Sequence, residues 1–268
     1  MRRAGRTNEI FFPSLLIHVY FATSMHMFET LVLLHIVTGT LGLAAFWVPI
    51  ATKKGAQAHR RWGRIACYGF LGAGSLAVVM ALLSLYGPEE RIPSVTDRTL
   101  FAGLFGWMML YLGLLTIGFV DYGLAVVRHA RDRAQLRRAR YQAVMAAVVL
   151  SGLWCGGFGL AIGQPLMVLV SVVGVVAMVL QQRFVWRREA PPGAHVGEHF
   201  RALIGMGISA YTAFLSVGLV RRFPEQVFNP LFWAGPSLVG VGLILWFTAQ
   251  ANRRKRARSS APGVPRSG

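Results

Sequence analysis

The sequence predicts an all-α, polytopic bundle of about seven transmembrane helices. Of its 268 residues, 54% are hydrophobic and only 14% are charged, far from the balance of a soluble domain. Uncharged runs of roughly 20 residues, the length that a helix needs to cross a bilayer, recur along the chain. The cations behind the net charge of +18 fall almost entirely between those runs. This distribution argues against a nucleic-acid-binding face on a soluble fold.

The apolar runs define the predicted spans. Their limits are 28–50, 65–86, 99–121, 141–163, 165–182, 202–220 and 229–249. The fourth and fifth are separated by the short segment "IGQP", in which Gly163 and Pro165 fit a tight hairpin. These limits predict a transmembrane domain over 27–250 and a basic, disordered tail over 251–268.

Lys and Arg are distributed unequally between alternate connections. One side carries 21 of them and the other only four, if the first 26 residues are left aside. Because short cationic loops stay in the cytoplasm, we expect the N-terminus outside and the C-terminus in the cytoplasm. The cytoplasmic cations are then available to anionic lipid headgroups. Among these connections, 128–140 is expected to form an amphipathic surface helix.

Residues 1–26 form an N-terminal extension that does not fit this pattern. The basic "MRRAGR" is followed by a short apolar stretch that runs directly into the first span. It is either a signal peptide, a partial eighth helix, or sequence upstream of a misplaced start at Met25 or Met27. A misplaced start is favoured, because it removes three arginines from the outer side.

Three segments carry a resemblance to a known family. They are "LVLLHIVTGTLGL" (31–43), "HRRWGR" (59–64) and "EHFRALIGMGISAYTAF" (198–214). Over roughly 27–225 the chain resembles a family of bacterial multi-pass membrane proteins, domain of unknown function 2306. The resemblance implies a helical fold in the bacterial cytoplasmic (inner) membrane and no established reaction. The family-like histidines are His35, His59 and His199, whereas His195 lies outside the pattern.

His35 is the only ionisable side chain well inside a predicted span, and burial of such a group in a membrane is costly. Gly39 and Gly42, at i+4 and i+7, place it on a small-residue stripe through which helices approach closely. It is either a packing imidazole or a ligand to a cofactor such as haem. His199 would differ from it in height by about 24 Å, so a haem on His35 would need another ligand, such as Met109, or stay five-coordinate.

The remaining candidate sites lie at the cytoplasmic face. A metal site there would use His59, His195 and His199. Residues 195–199, "HVGEH", have the H-x-x-E-H form of zinc hydrolases, with Glu198 as general base. Gly197 weakens a helix at this point, which favours a segment that merely caps span six.

A pocket for an anionic headgroup or phosphate is the alternative use of the same face. Guanidinium groups match phosphate oxygens bidentately. The candidate ligands, beside His59, are Arg60, Arg61, Arg64 and Arg201. Asp121, at the inner end of span three, is expected to pair with His59 or with an arginine.

Three functions follow from these sites. The first is a binding or interaction protein whose basic face engages anionic lipid or a partner. The second is a haem or metal redox protein that uses His35, and the third is a zinc-dependent hydrolase at the cytoplasmic face. The first is favoured, while the catalytic residues, the identity of any cofactor and the oligomeric state stay open.

Overall fold

The computed structural model describes residues 11–86, 97–215 and 230–260. These residues are mostly helical and include no strand, so the predicted all-α class is confirmed. The described helices are α1 (Phe11–Ala51), α2 (Gln57–Tyr86), α3 (Arg98–Arg128), α4 (Ala139–Ala161), α5 (Pro165–Trp186), α6 (Ala194–Ala213) and α7 (Pro230–Ser260).

Five described helices, α1 to α5, are long and apolar enough to cross a membrane, with α1 counted from Met27. They correspond to the first five predicted spans. Helix α6 covers the start of the sixth, whose predicted end at 216–220 lies outside the described residues, and α7 covers the seventh from Pro230. The chain is therefore a multi-pass bundle of membrane helices.

Helix α3 lies at the centre of this bundle. It packs against α2, α4 and α6, and most of its residues between Tyr111 and Val126 are buried. The other helices pack around this core, with α1 on α2, α5 on α4 and α7 on α6. The outer helices leave apolar side chains such as Leu33 and Leu169 exposed, which is the surface that lipid tails solvate.

A close backbone contact between α1 and α2 involves Gly42 and Gly69. A Cβ atom on Gly69 would lie 2.8 Å from the backbone N of Gly42 and 2.9 Å from the carbonyl O of Thr38. No side chain larger than hydrogen fits in that space, so the two backbones touch directly. The predicted small-residue stripe is thus a helix contact within the bundle.

Three connections, 52–56, 129–138 and 187–193, lie together at one end of the bundle, which we call the basic face. Arg133 in the second connection donates to the carbonyl O of Arg187 in the third, and Lys54 in the first lies 4.7 Å from the ring centroid of Phe247 on α7. The predicted hairpin between α4 and α5 is confirmed by Gly163, whose φ of 68° closes a turn that other residues rarely adopt.

The connection after α3 is not the amphipathic helix predicted for 128–140. The chain forms turns and a short 3₁₀ helix, Arg133–Arg137, and Arg138 is extended with ψ 145°. Asp132 accepts hydrogen bonds from the backbone N of Ala134 and the side chain of Gln135. An aspartate bonded to the neighbouring backbone competes with helix formation, which accounts for the wrong prediction.

Both predicted domain boundaries fall within helices. Helix α1 runs from Phe11 through Met27 without a break, while residues 1–10 lie outside the described part of the chain. The origin of the 1–26 extension stays a prediction. Helix α7 continues to Ser260, so residues 251–260 are helical and not the disordered start of a tail, and 261–268 lie outside the described residues.

Candidate functional site

His35 faces α2, where its Nδ1 lies 2.9 Å from the carbonyl O of Ala73. Because a carbonyl can only accept, Nδ1 carries the proton and donates it. One turn further along α1, a Cβ on Gly39 would be in ordinary contact with the side chain of Ala73. The imidazole therefore joins α1 to α2 at the edge of their glycine contact, which is the packing role weighed for it.

A six-coordinate haem on His35 would take a second ligand, for which Met109 is the candidate. Met109 lies on α3, whereas His35 is bonded to α2, which packs against both α1 and α3. The described residues also contain no group of three or more His, Cys, Asp or Glu side chains that could hold a metal ion. The arrangement gives a cofactor at His35 no further support.

We call residues 53–64 the first basic segment. Its Lys54 Nζ donates to the carbonyl O atoms of Pro49 and Ile50, at 2.8 and 2.7 Å. His59 Nδ1 donates to the same carbonyl of Pro49, at 3.0 Å. The last carbonyls of a helix have no partner within it and carry partial negative charge. Lys54 and His59 therefore complete the end of α1.

Burial lowers the pKa of Lys54. Its ammonium group contacts both the carbonyl acceptors at the end of α1 and the ring of Phe247. Lys54 thus also links the α1–α2 connection to α7 through a cation–π contact.

Among the remaining cations of the first basic segment, one is hydrogen-bonded to a described residue and three are not. Arg60 donates to the carbonyl O of Gly55 at 2.9 Å. Lys53, Arg61 and Arg64 are exposed and make no hydrogen bond or ion pair with a described residue. Of the four predicted anion ligands, only Arg61 and Arg64 therefore stay free of other bonds, since Arg201 is also paired, as described next.

The start of α6 is bonded to α3 at two successive residues. Glu198 is buried and accepts a hydrogen bond from the Tyr122 hydroxyl at 3.0 Å and an ion pair from Arg201 at 2.5 Å. Next to it, His199 Nδ1 donates to the carbonyl O of Gly123 at 2.6 Å. Both carboxylate oxygens of Glu198 are thus engaged, one with α3 and one with Arg201 within α6, which does not favour the predicted role of general base.

The segment "HVGEH" lies in the first turns of α6 and does not merely precede the helix. Burial lowers the pKa of His199, with smaller contributions in the same direction from His59 and His195, while its bond to Gly123 acts in the opposite direction. The described residues nevertheless include no group of three such side chains that could hold a metal ion, so the predicted site of His59, His195 and His199 gains no support. Two of them, His59 and His199, have their Nδ1 atoms bonded to backbone carbonyls.

We call residues 128–140 the second basic segment. Its bonded cations make hydrogen bonds or ion pairs with other parts of the chain. Arg133 donates to the carbonyl O atoms of Arg187 and Arg188, just past the end of α5. Arg137 Nε donates to the carbonyl O of Val185 at 3.2 Å. Arg140 pairs with Asp121 at 2.5 Å, so the prediction that Asp121 pairs with an arginine is confirmed.

The cations at the basic face thus fall into two groups. One group is bonded to helix ends or carboxylates. The other, which we call the open cations, is exposed and makes no hydrogen bond or ion pair to the part of the chain that the structure describes. The open cations are Lys53, Arg61, Arg64, Arg128, Arg131, Arg138, Arg183, Arg187, Arg188 and Arg253.

The Tyr122–Glu198 bond could not be found from the sequence, because neither residue belongs to a motif that names the other. The Lys54 and His59 contacts had a weak signal, since cations at the end of an apolar helix often bind its last carbonyls. This chain matches no family model, no curated protein and no solved structure. The resemblance described above therefore stays a prediction.

Proposed function

We propose that this multi-pass membrane protein binds anionic lipid headgroups at its basic face through the open cations. The observation that carries the proposal is the division of the cations into two groups. Lys54, Arg133 and Arg137 are explained by the helix ends that they complete. The open cations serve no such purpose among the described residues, and each one held near an anionic membrane contributes about 1 kcal/mol of attraction.

The acidic residues near this face do not neutralise the open cations. Asp121 and Glu198 are paired with Arg140 and Arg201, and Asp132 accepts bonds from the adjoining turn. Asp132 and Glu189 are exposed and make no ion pair with a described residue, which leaves two carboxylates against ten open cations. The positive charge therefore remains available to an external anion. The same excess of cations supports the proposal that the basic face is cytoplasmic.

The redox and hydrolase alternatives lack comparable support. His35, His199 and Glu198 are each bonded to a neighbouring helix, and these bonds account for their presence without a cofactor or a substrate. Headgroup binding is the function that the arrangement of side chains supports best.

A titration with two lipids tests this proposal. The full chain is purified in a mild detergent, and phosphatidylglycerol and phosphatidylcholine with identical acyl chains are added in native mass spectrometry. Phosphatidylglycerol is expected to bind several-fold more tightly, and increasing ammonium acetate concentration should reduce the difference because salt screens exposed charges. Equal affinity for the two lipids at low salt would overturn the proposed function.

A further inference from the structure

Two of the open cations lie above a lipid-facing strip of α2. At about 100° per residue, Arg61, Arg64 and Tyr68 project within about 60° of one another on the helix. The same 60° sector contains the exposed Ser75, then Val79 and Leu82 further along. Each of these side chains is exposed, with Tyr68 at 66%, Val79 at 44% and Leu82 at 41%.

Tyrosines mark both ends of the uncharged part of this strip. Tyr86, 78% exposed, falls in the same sector as Tyr68. The rise of a helix places the two about 27 Å apart along its axis, close to the roughly 30 Å thickness of a hydrocarbon core. Tyrosine favours the interface between hydrocarbon and headgroups. Arg64 lies about 6 Å and Arg61 about 10 Å beyond Tyr68, at the depth of the lipid phosphates.

The chemistry of the strip fits a phosphate with attached acyl chains. Arg61 and Arg64 are three residues apart, so their guanidinium groups can approach one anion from the same side. Helix α2 contains no acidic residue that would compete for them. We propose that this strip binds one anionic phospholipid, with its phosphate on Arg61 and Arg64, its glycerol region beside Tyr68 and an acyl chain along Val79 and Leu82.

This inference rests on the proposed function and gives it a location. The second basic segment supplies a contrast within the same face. Arg128 and Arg131 are also open, but the residues one and two turns before Arg128 are the partly buried Leu124 and Asp121 on the central helix. No exposed apolar strip continues from Arg128 into the membrane. A lipid bound there could contact the two arginines through its phosphate, but, among the described residues, its acyl chain would have no exposed apolar strip to lie along.

Paired variants test the site in the full chain. Arg61→Gln with Arg64→Gln, and Arg128→Gln with Arg131→Gln, each remove two positive charges from open side chains. In the native mass spectrometry titration, the first pair should weaken the first phosphatidylglycerol binding event by about tenfold or more. The second pair should change it by less than about twofold, because charge near the membrane is reduced without loss of the site.

Each other outcome decides against the site. Equal weakening by both pairs would overturn the α2 site while leaving headgroup binding by the face intact. Unchanged affinity in both pairs, together with a retained preference for phosphatidylglycerol, would place the headgroup elsewhere. Loss of the lipid on addition of millimolar inorganic phosphate would reassign the arginines to a free phosphate. Absence of any lipid preference in the unsubstituted chain would overturn the proposed function itself.

Discussion

The two basic segments have nearly the same composition and different structures. Each has three open cations, and the basic side chains bonded within the fold number three in the first and four in the second. The bonded ones are Lys54, His59 and Arg60 in the first segment and His129, Arg133, Arg137 and Arg140 in the second. The open ones are Lys53, Arg61 and Arg64 in the first and Arg128, Arg131 and Arg138 in the second.

The segments differ in which helix end the bonded side chains bind and in which surface lies next to the open cations. Lys54 and His59 close the helix that directly precedes them, whereas Arg133 and Arg137 close α5, about fifty residues later in the chain. The first segment continues as α2, which aligns its open arginines with a lipid-facing strip. The second is turns and 3₁₀ helix, which gives no such alignment. Counts of charge therefore do not show which cations hold the fold and which face the membrane.

The largest effect is expected where the second segment holds a distant helix end. Arg133→Ala with Arg137→Ala removes hydrogen bonds from charged groups to three carbonyls and cation–π contacts with Phe184 and Trp186. We expect the free energy of unfolding to fall by about 2 kcal/mol. The loss is limited because Nε and Nη1 of Arg133 are buried without a partner among the described residues. Reversible denaturation in mixed micelles measures it.

The matched control for this pair is Arg128→Ala with Arg131→Ala, which removes equal charge from the same segment. Similar destabilisation by both pairs would mean that net charge, and not the bonds to α5, governs stability. The claim that bonded cations stabilise the fold and open cations do not would then be wrong for the second segment.

A smaller effect is expected from Lys54→Met. Methionine keeps an unbranched apolar chain beside Phe247 and loses the two hydrogen bonds to the end of α1. We expect the free energy of unfolding to fall by about 1 kcal/mol, whereas Lys53→Met in the adjacent position should leave it nearly unchanged. The same denaturation assay compares the two. If the Lys53 variant were the less stable one, the assignment of their roles would be reversed.

The smallest effect on stability is expected from Arg61→Gln with Arg64→Gln. Both side chains are exposed and unbonded, so the free energy of unfolding should change by less than about 0.5 kcal/mol. The thermal unfolding midpoint in a detergent free of anionic lipid measures this. A clear loss of stability there would show that these arginines support the fold, and the lipid assay would need variants that retain the guanidinium groups.

The fold could be predicted largely because lipid imposes simple requirements on length and hydrophobicity. The first five spans agree with the described helices for that reason. Helix α6 begins at Ala194, eight residues before the predicted span, because Tyr122 and Gly123 of α3 satisfy the polar Glu198 and His199. A hydrophobicity scan cannot include residues whose burial depends on a partner from a distant part of the chain.

The candidate sites were only partly predictable for a related reason. The sequence identified His35, His59 and His199 as unusual, and each is bonded to a backbone carbonyl of a neighbouring segment. A backbone acceptor has no residue-type signature, so no motif could name it. Glu198 was assigned a chemical role because its motif is shared with enzymes, whereas its partners Tyr122 and Arg201 show a role in packing.

The direct backbone contact at Gly69 has a consequence for the order in which the protein is made. Its partners lie on α1, which is already synthesised when α2 emerges from the ribosome. The contact needs only Gly42, Thr38 and the nearby bond from His35 to Ala73, so this first hairpin can associate in the bilayer before the central helix exists. Helix α3 then inserts beside a preassembled pair, and a bulkier residue at Gly69 would act on biogenesis at its earliest step.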